Sequence, residues 1–124
     1  QRQMCIRDRL KQTVELKCGR AADILKSLPA DIEPFDFIFI DADKQSYPEY
    51  LELSLNLSHS GTLIFLDNVI RAGDIINPEN HKPSIEGIRD MFKAMQNHPK
   101  ILSCTALQTV GSKGHDGFAL AIVK

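Results

Sequence analysis

The chain has 124 residues, of which 43% are hydrophobic and 25% charged, with a net charge of −1. That composition suits one globular domain with a core of its own and excludes a disordered chain. Charges of both signs are interspersed, so neither nucleic acid nor an anionic membrane surface is indicated as a partner.

No apolar run approaches the roughly 20 residues that a membrane-crossing helix needs, and Gln1–Arg9 lacks the apolar stretch of a signal peptide. Three cysteines, Cys5, Cys18 and Cys104, are an odd number without metal-ligand spacing. A disulfide framework is not expected, and the reducing cytoplasm is the expected compartment.

In chain order, residues 1–9 show no helical or strand period and are read as an unrelated or disordered tail. The domain is taken to run from Leu10 to Lys124. Val14, Leu16 and Cys18 alternate with Glu15 and Lys17, which predicts a half-buried strand closed by Gly19. Ala21, Ile24, Leu25 and Leu28 recur at helical spacing until Pro29. Phe35 to Asp41 is almost continuously apolar, the pattern of a strand buried on both faces.

Ser46-Tyr47-Pro48-Glu49 reads as a capping box. It should start a helix with Tyr47, Tyr50, Leu51, Ser54 and Leu55 on one face, ending at Gly61. A second apolar strand, Thr62 to Asp67, leads into a long connection from Val69 to Pro83. Ser84 is placed to cap a helix with Ile85, Ile88, Phe92 and Met95 on its apolar face. Ile101–Val110 and Phe118–Val123 close the chain as an antiparallel hairpin around a turn from Gly111 to Gly117. Strands and helices alternating in this way predict an α/β fold.

Ligands of open α/β sheets bind beyond the carboxyl ends of the strands. Both apolar strands end in acid, Asp41 and Asp67. On neighbouring strands the two carboxylates would emerge side by side and repel unless a cation lay between them. With the amide oxygen of Asn68 they form a hard-oxygen set suited to Mg²⁺, Mn²⁺ or Ca²⁺. Lys44 follows Asp41 by three residues, and a lysine beside such a site can act as a base. His115-Asp116 is read as part of the hairpin turn and not as a catalytic dyad, and His59, His81 and His98 share no ligand spacing.

The run from Phe35 to Tyr50, Phe-Asp-Phe-Ile-Phe-Ile-Asp-Ala-Asp-Lys-Gln-Ser-Tyr-Pro-Glu-Tyr, resembles the signature of the cation-dependent O-methyltransferases, among them the caffeoyl-CoA and catechol enzymes. Gly61–Val69 is similar to that family's next strand, and Asp116 to Ala121 to its closing strand. The resemblance implies a Rossmann-like methyltransferase sheet, truncated at the N-terminus and ending in an antiparallel hairpin. It further implies S-adenosyl-L-methionine and a divalent metal, Mg²⁺ first, as cofactors.

By the same resemblance Asp41, Asp67 and Asn68 are the metal ligands and Lys44 the general base. Asp43 and Tyr50 contact the methyl donor, and Arg20 and Ala21 line the adenine. The partner is then a small, aromatic hydroxylated acceptor, with a hydroxylated RNA base still among the candidates and a homodimer compatible with the family. Arg71 lies where many relatives carry an aromatic residue, which leaves the acceptor open.

The family's glycine-rich donor turn and ribose-binding acid have no counterpart here. Two strands between those of Val14 and Phe37 are expected to be absent, leaving a bare apolar edge. On that ground the chain alone is expected to be inactive and prone to aggregate. Two other readings remain at this stage. One is a receiver domain of a response regulator, which shares the parallel sheet, acidic pocket and lysine. The other is a non-catalytic remnant that only associates with other chains.

Overall fold

The computed structural model describes residues 13–112 and 114–124. The expectations for residues 1–9, for the domain start at Leu10 and for Cys5 lie outside them. Helix α1 (Ala21–Lys26) leads to strand β1 (Phe35–Ile40). A 3₁₀ turn (Lys44–Ser46) runs directly into helix α2 (Tyr47–Asn56), followed by strand β2 (Ser58–Asp67). A second 3₁₀ segment (Arg71–Ile76) precedes helix α3 (Pro83–Gln96), and strands β3 (Ile101–Gly111) and β4 (Gly114–Val123) complete the chain.

The four strands form one sheet in the order β1-β2-β4-β3. β1 and β2 are parallel, β2 and β4 antiparallel, and β3 and β4 form the closing hairpin. This is the α/β fold with a terminal antiparallel hairpin that the alternation of elements predicts.

Helices α2 and α3 cover one face of the sheet. Tyr47, Tyr50, Leu51, Ser54 and Leu55 are the buried residues of α2, as their spacing predicts. Ile85, Gly87, Ile88, Met91 and Met95 are the buried residues of α3. Tyr47, Tyr50, Leu51 and Leu55 of α2 and Ile88, Met91 and Met95 of α3 pack with Ile40, Ile64, Leu66, Ala119, Ala121 and Val123, the inward residues of the strands. Burying one such large side chain contributes about 1.5–3 kcal/mol, so this layer supplies most of the fold's stability.

The opposite face is open among the described residues. Phe37 and Phe39 are more than half exposed, and Leu107 and Ile122 are also exposed. The rings of Phe39, Phe65 and Phe118 lie across three adjacent strands, with centroids 5.2 Å and 4.7 Å apart. β1 is therefore not buried on both faces. Among the described residues it is an edge strand, and its continuous apolar run faces helices on one side only.

Other boundaries also depart from expectation. Val14–Cys18 forms no strand and is exposed throughout, because no described strand runs beside it to share hydrogen bonds. α2 ends at Asn56, and Gly61 belongs to β2 at φ 91°, where the β1–β2 register shifts between Phe35 and Phe37. The Ser46 side chain makes no capping bond to α2, since the 3₁₀ turn already runs through it. Ser84 sits inside α3, which starts one residue earlier at Pro83 with Lys82 as N-cap. The final turn is tighter than predicted: Gly111 pairs with Gly114, and residues up to Gly117 lie in the ladder.

Candidate active site

Parallel pairing of β1 and β2 sets Ile40 opposite Leu66. The next residue on each strand is an acid, so Asp41 and Asp67 leave adjoining strand tips at one edge, with the strands about 4.8 Å apart. The sequence reading required this juxtaposition.

Between the tips lies a side chain to which the sequence reading gave no functional role. Tyr47 has no solvent exposure. Its hydroxyl donates to the backbone carbonyl of Asp67 at 2.6 Å, with the carbonyl of Ile40 a further acceptor at 3.2 Å. Lys44 donates to the same hydroxyl at 2.7 Å and to Asp41 Oδ1 at 3.0 Å. An ammonium only 9% exposed is costly to bury, and the ion pair with Asp41 offsets that cost. Burial, then the charges of Asp41 and Asp67, hold the Tyr47 phenol far above its ordinary range, so it stays a neutral bridge. No spacing rule marks Tyr47. Its role appears only once two strand tips are known to be neighbours.

The turn carrying Lys44 is seated by α3. A Cβ on Gly87 would lie 2.3 Å from the Lys44 carbonyl oxygen and 2.6 Å from Gln45 Cα, so only glycine allows this approach. On the far side, the Arg89 guanidinium donates to the carbonyls of Ile75 (3.0 Å) and Asn80 (2.8 Å) and to Glu86 (2.9 Å). These bonds hold the long connection against α3.

Beyond Asp67 the backbone turns sharply. Asn68, Arg71 and Ala72 have φ of 57°, 54° and 56°. This left-handed region costs roughly 1–2 kcal/mol for a non-glycine residue, least for asparagine. The Asn68 backbone N–H donates to Asp67 Oδ1 at 2.8 Å. Asp67, Asn68 and Arg71 line a cleft of about 560 Å³ whose other wall is the β3–β4 hairpin. His115 and Asp116 form no dyad: His115 lies 3.2 Å from the Gln108 side chain, while the Asp116 carboxylate accepts backbone amides.

The residues expected to contact the methyl donor are only partly brought together. The Tyr50 hydroxyl donates to Asp43 Oδ1 at 2.7 Å. Hydrogen bonds from Ser46 and Tyr50 hold the Asp43 carboxyl below its ordinary value, and burial raises that of Tyr50. Ala21 and Tyr50 line a second cleft of about 360 Å³ between the Gly19–Leu25 segment and β1. Arg20 does not line it. Its guanidinium lies 3.3 Å from Glu49 and 3.6 Å from Asp23, and Lys26 reaches the same Glu49 at 2.6 Å.

Among the described residues no three acidic, histidine or cysteine side chains converge. A metal at this edge would draw on Asp41, Asp67 and the Asn68 side-chain oxygen, completed by solvent or substrate. Asp41 is half exposed, and Asp67 and Asn68 are half-buried. Lys44 pairs with Asp41, and Arg71 lines the same cleft as Asp67 and Asn68. All-oxygen donors with open positions fit a hard divalent cation.

A sequence model of the family described as O-methyltransferase matches residues 2–121. The chain belongs to the O-methyltransferase family. It is 47% identical over 116 residues to a catechol O-methyltransferase of Niastella koreensis, covering 93% of this chain and 52% of that protein. A catechol O-methyltransferase of Mycobacterium tuberculosis is 42% identical over 111 residues, 90% of this chain and 49% of its own length. The chain thus spans about half the length of the curated relatives it matches.

Among solved structures, an O-methyltransferase from Bacillus cereus in complex with SAH superposes with a TM-score of 0.94 at 48% identity, covering 99% of this chain and 56% of that one. The O-methyltransferase TomG from Streptomyces achromogenes, in complex with SAM, gives 0.93 at 35%, covering 98% and 55%. Family membership, with the antiparallel hairpin closing the sheet, sets aside the receiver-domain reading. Among the described residues no helix is long and apolar enough to cross a membrane.

Proposed function

We propose that this chain supplies the acceptor and metal end of an S-adenosylmethionine-dependent O-methyltransferase acting on a small aromatic hydroxyl compound. The placement of Asp41 and Asp67 at adjoining strand tips, with Asn68 next in the chain and Lys44 bonded to both Asp41 and the Tyr47 hydroxyl, supports this most strongly. Asp41, Asp67 and Asn68 would hold a divalent cation, Mg²⁺ in the first instance. A phenol ionises near pH 10; a bound divalent cation supplies stabilisation of the oxyanion, making the phenol a competent nucleophile near neutrality.

The chain's own residues then have distinct tasks. Lys44, as the neutral amine after releasing one ammonium proton to solvent, takes the proton of the acceptor hydroxyl as general base. Tyr47 keeps Lys44 and the carbonyl end of β2 at fixed separation. The hairpin cleft beside Asp67 and Asn68 has room for a ring-sized acceptor. Asp43 and Tyr50 form the part of the methyl-donor site that this chain contributes, and Ala21 faces the same cleft. Transfer itself is an in-line displacement whose rate depends on positioning. With Cys18 and Cys104 both unpaired and exposed, a reducing cytoplasm suits the protein.

The test is radiolabelled methyl transfer from S-adenosylmethionine to a catechol by the native full-length polypeptide. Transfer should vanish with a chelator and return with Mg²⁺. Undiminished transfer in the chelator would overturn the metal half of the proposal.

A further inference from the structure

Resting on that reading of the metal end, we propose that Asp116 is a positioning residue for Asp67 and Asn68. Together with Gly117 it clamps three consecutive amides of the loop that follows β2. The β2–β4 ladder pairs Asp67 with Phe118 and would end there. It is extended first by the Gly117 carbonyl, which accepts the Val69 N–H at 3.0 Å. Asp116 then continues with its side chain. Its Oδ1 accepts the N–H of Ile70 at 3.1 Å, of Arg71 at 3.0 Å and of Gly117 at 2.9 Å.

One oxygen receiving three amide donors is an arrangement that an anionic carboxylate supports far better than a neutral acceptor. Gly117 makes the approach possible, because a Cβ there would lie 2.3 Å from the Leu107 carbonyl oxygen and 2.5 Å from Ile70 Cγ1.

The consequence falls on Asn68. It occupies a left-handed conformation between the end of β2 and the clamped amides, with Arg71 and Ala72 left-handed just beyond. Such a turn persists only where its surroundings over-determine it. The captured amides at 69, 70 and 71 supply that constraint on one side, and the β1–β2 pairing supplies it on the other. Released, the loop would relax, and Asn68 would lose its fixed relation to Asp67. Asp116 lines the same cleft as Asp67 and Asn68, yet with Oδ1 already taken its part is to hold the loop.

The test compares Asp116→Ala and Asp116→Asn with the parent in the native full-length polypeptide. Mn²⁺ affinity is read by electron paramagnetic resonance, and amide exchange at residues 69–71 by NMR. S-adenosylmethionine affinity is the control. Loss of an outer-shell partner typically weakens a metal tenfold to a hundredfold. Asp116→Ala should weaken Mn²⁺ by that factor and expose the three amides, with donor affinity within twofold of the parent; Asp116→Asn should fall in between. Parental Mn²⁺ affinity in Asp116→Ala would overturn the proposal.

Should Asp116→Ala not fold, Asp116→Asn decides alone. A severalfold loss with faster exchange at 69–71 supports the clamp, and parental values on both overturn it. Asp67→Ala, run in parallel, separates the two layers. If it loses Mn²⁺ and Asp116→Ala does not, only the clamp is wrong; if the parent itself binds no Mn²⁺, the metal reading falls and the clamp with it.

Discussion

At the tips of β1 and β2, Lys44, Tyr47 and Asp67 are joined by hydrogen bonds of 2.7 Å and 2.6 Å around a hydroxyl closed off from water. Across the same edge, toward α1, one bond of 2.7 Å links Tyr50 to Asp43, while Arg20 is engaged by Glu49 at the surface. The two regions differ in what fixes them. The first is held by two paired strands, an α3 glycine pressed on the Lys44 turn, and a carboxylate gripping the next loop. The second has one helix-to-turn hydrogen bond, the packing of Ala22 and Tyr50 into the core, and surface ion pairs, the last contributing individually about 0–1 kcal/mol. A side chain's value to a site therefore follows from how many independent elements constrain it, and substitutions should separate the two regions by that measure.

The largest effect is expected at Lys44. Lys44→Met removes the proposed base and one partner of the Tyr47 hydroxyl. kcat should fall by about a hundredfold or more, in the usual range for general-base catalysis, while the KM for the methyl donor stays within twofold. Steady-state kinetics with saturating metal provide the check. A collapse of both parameters together would mean that Lys44 chiefly supports the fold.

A smaller effect is expected on the donor side. Tyr50→Phe removes one hydrogen bond to Asp43, and a bond to a charged group contributes about 1.5–3 kcal/mol at most. Donor affinity measured by calorimetry should drop about tenfold, with Mn²⁺ affinity unchanged. Arg20→Ala, which removes only surface pairs, should move either affinity by less than about threefold. An Arg20→Ala loss as large as that of Tyr50→Phe would erase the distinction between the regions.

The sequence carried the strand tips and their acids because an apolar strand and a following acid are local patterns. Asp41, Lys44, Asp67 and Asn68 could all be named from spacing and resemblance, and the structure brings them together. Tyr47 and Asp116 were not legible as site residues. Tyr47 looks like one more apolar position on an amphipathic helix, and its hydroxyl gains meaning only from Ile40 and Asp67 on two different strands. Asp116 looks like a turn residue because Gly111, Gly114 and Gly117 surround it. The ladder in fact extends through it, opposite Thr109, and its partners lie 45 and 46 residues away in the chain. The strand expected at Val14–Cys18 failed for the complementary reason: alternation is local, but a strand exists only beside another.

All of this depends on Asp41 and Asp67 acting on one cation from neighbouring strand tips. A double-mutant cycle on Mn²⁺ affinity, with Asp41→Ala, Asp67→Ala and the pair measured by electron paramagnetic resonance in the native full-length polypeptide, addresses it directly. The account predicts that either single change removes most of the binding and that the second adds little. Two small losses that simply add, or no loss in either single variant, would contradict it.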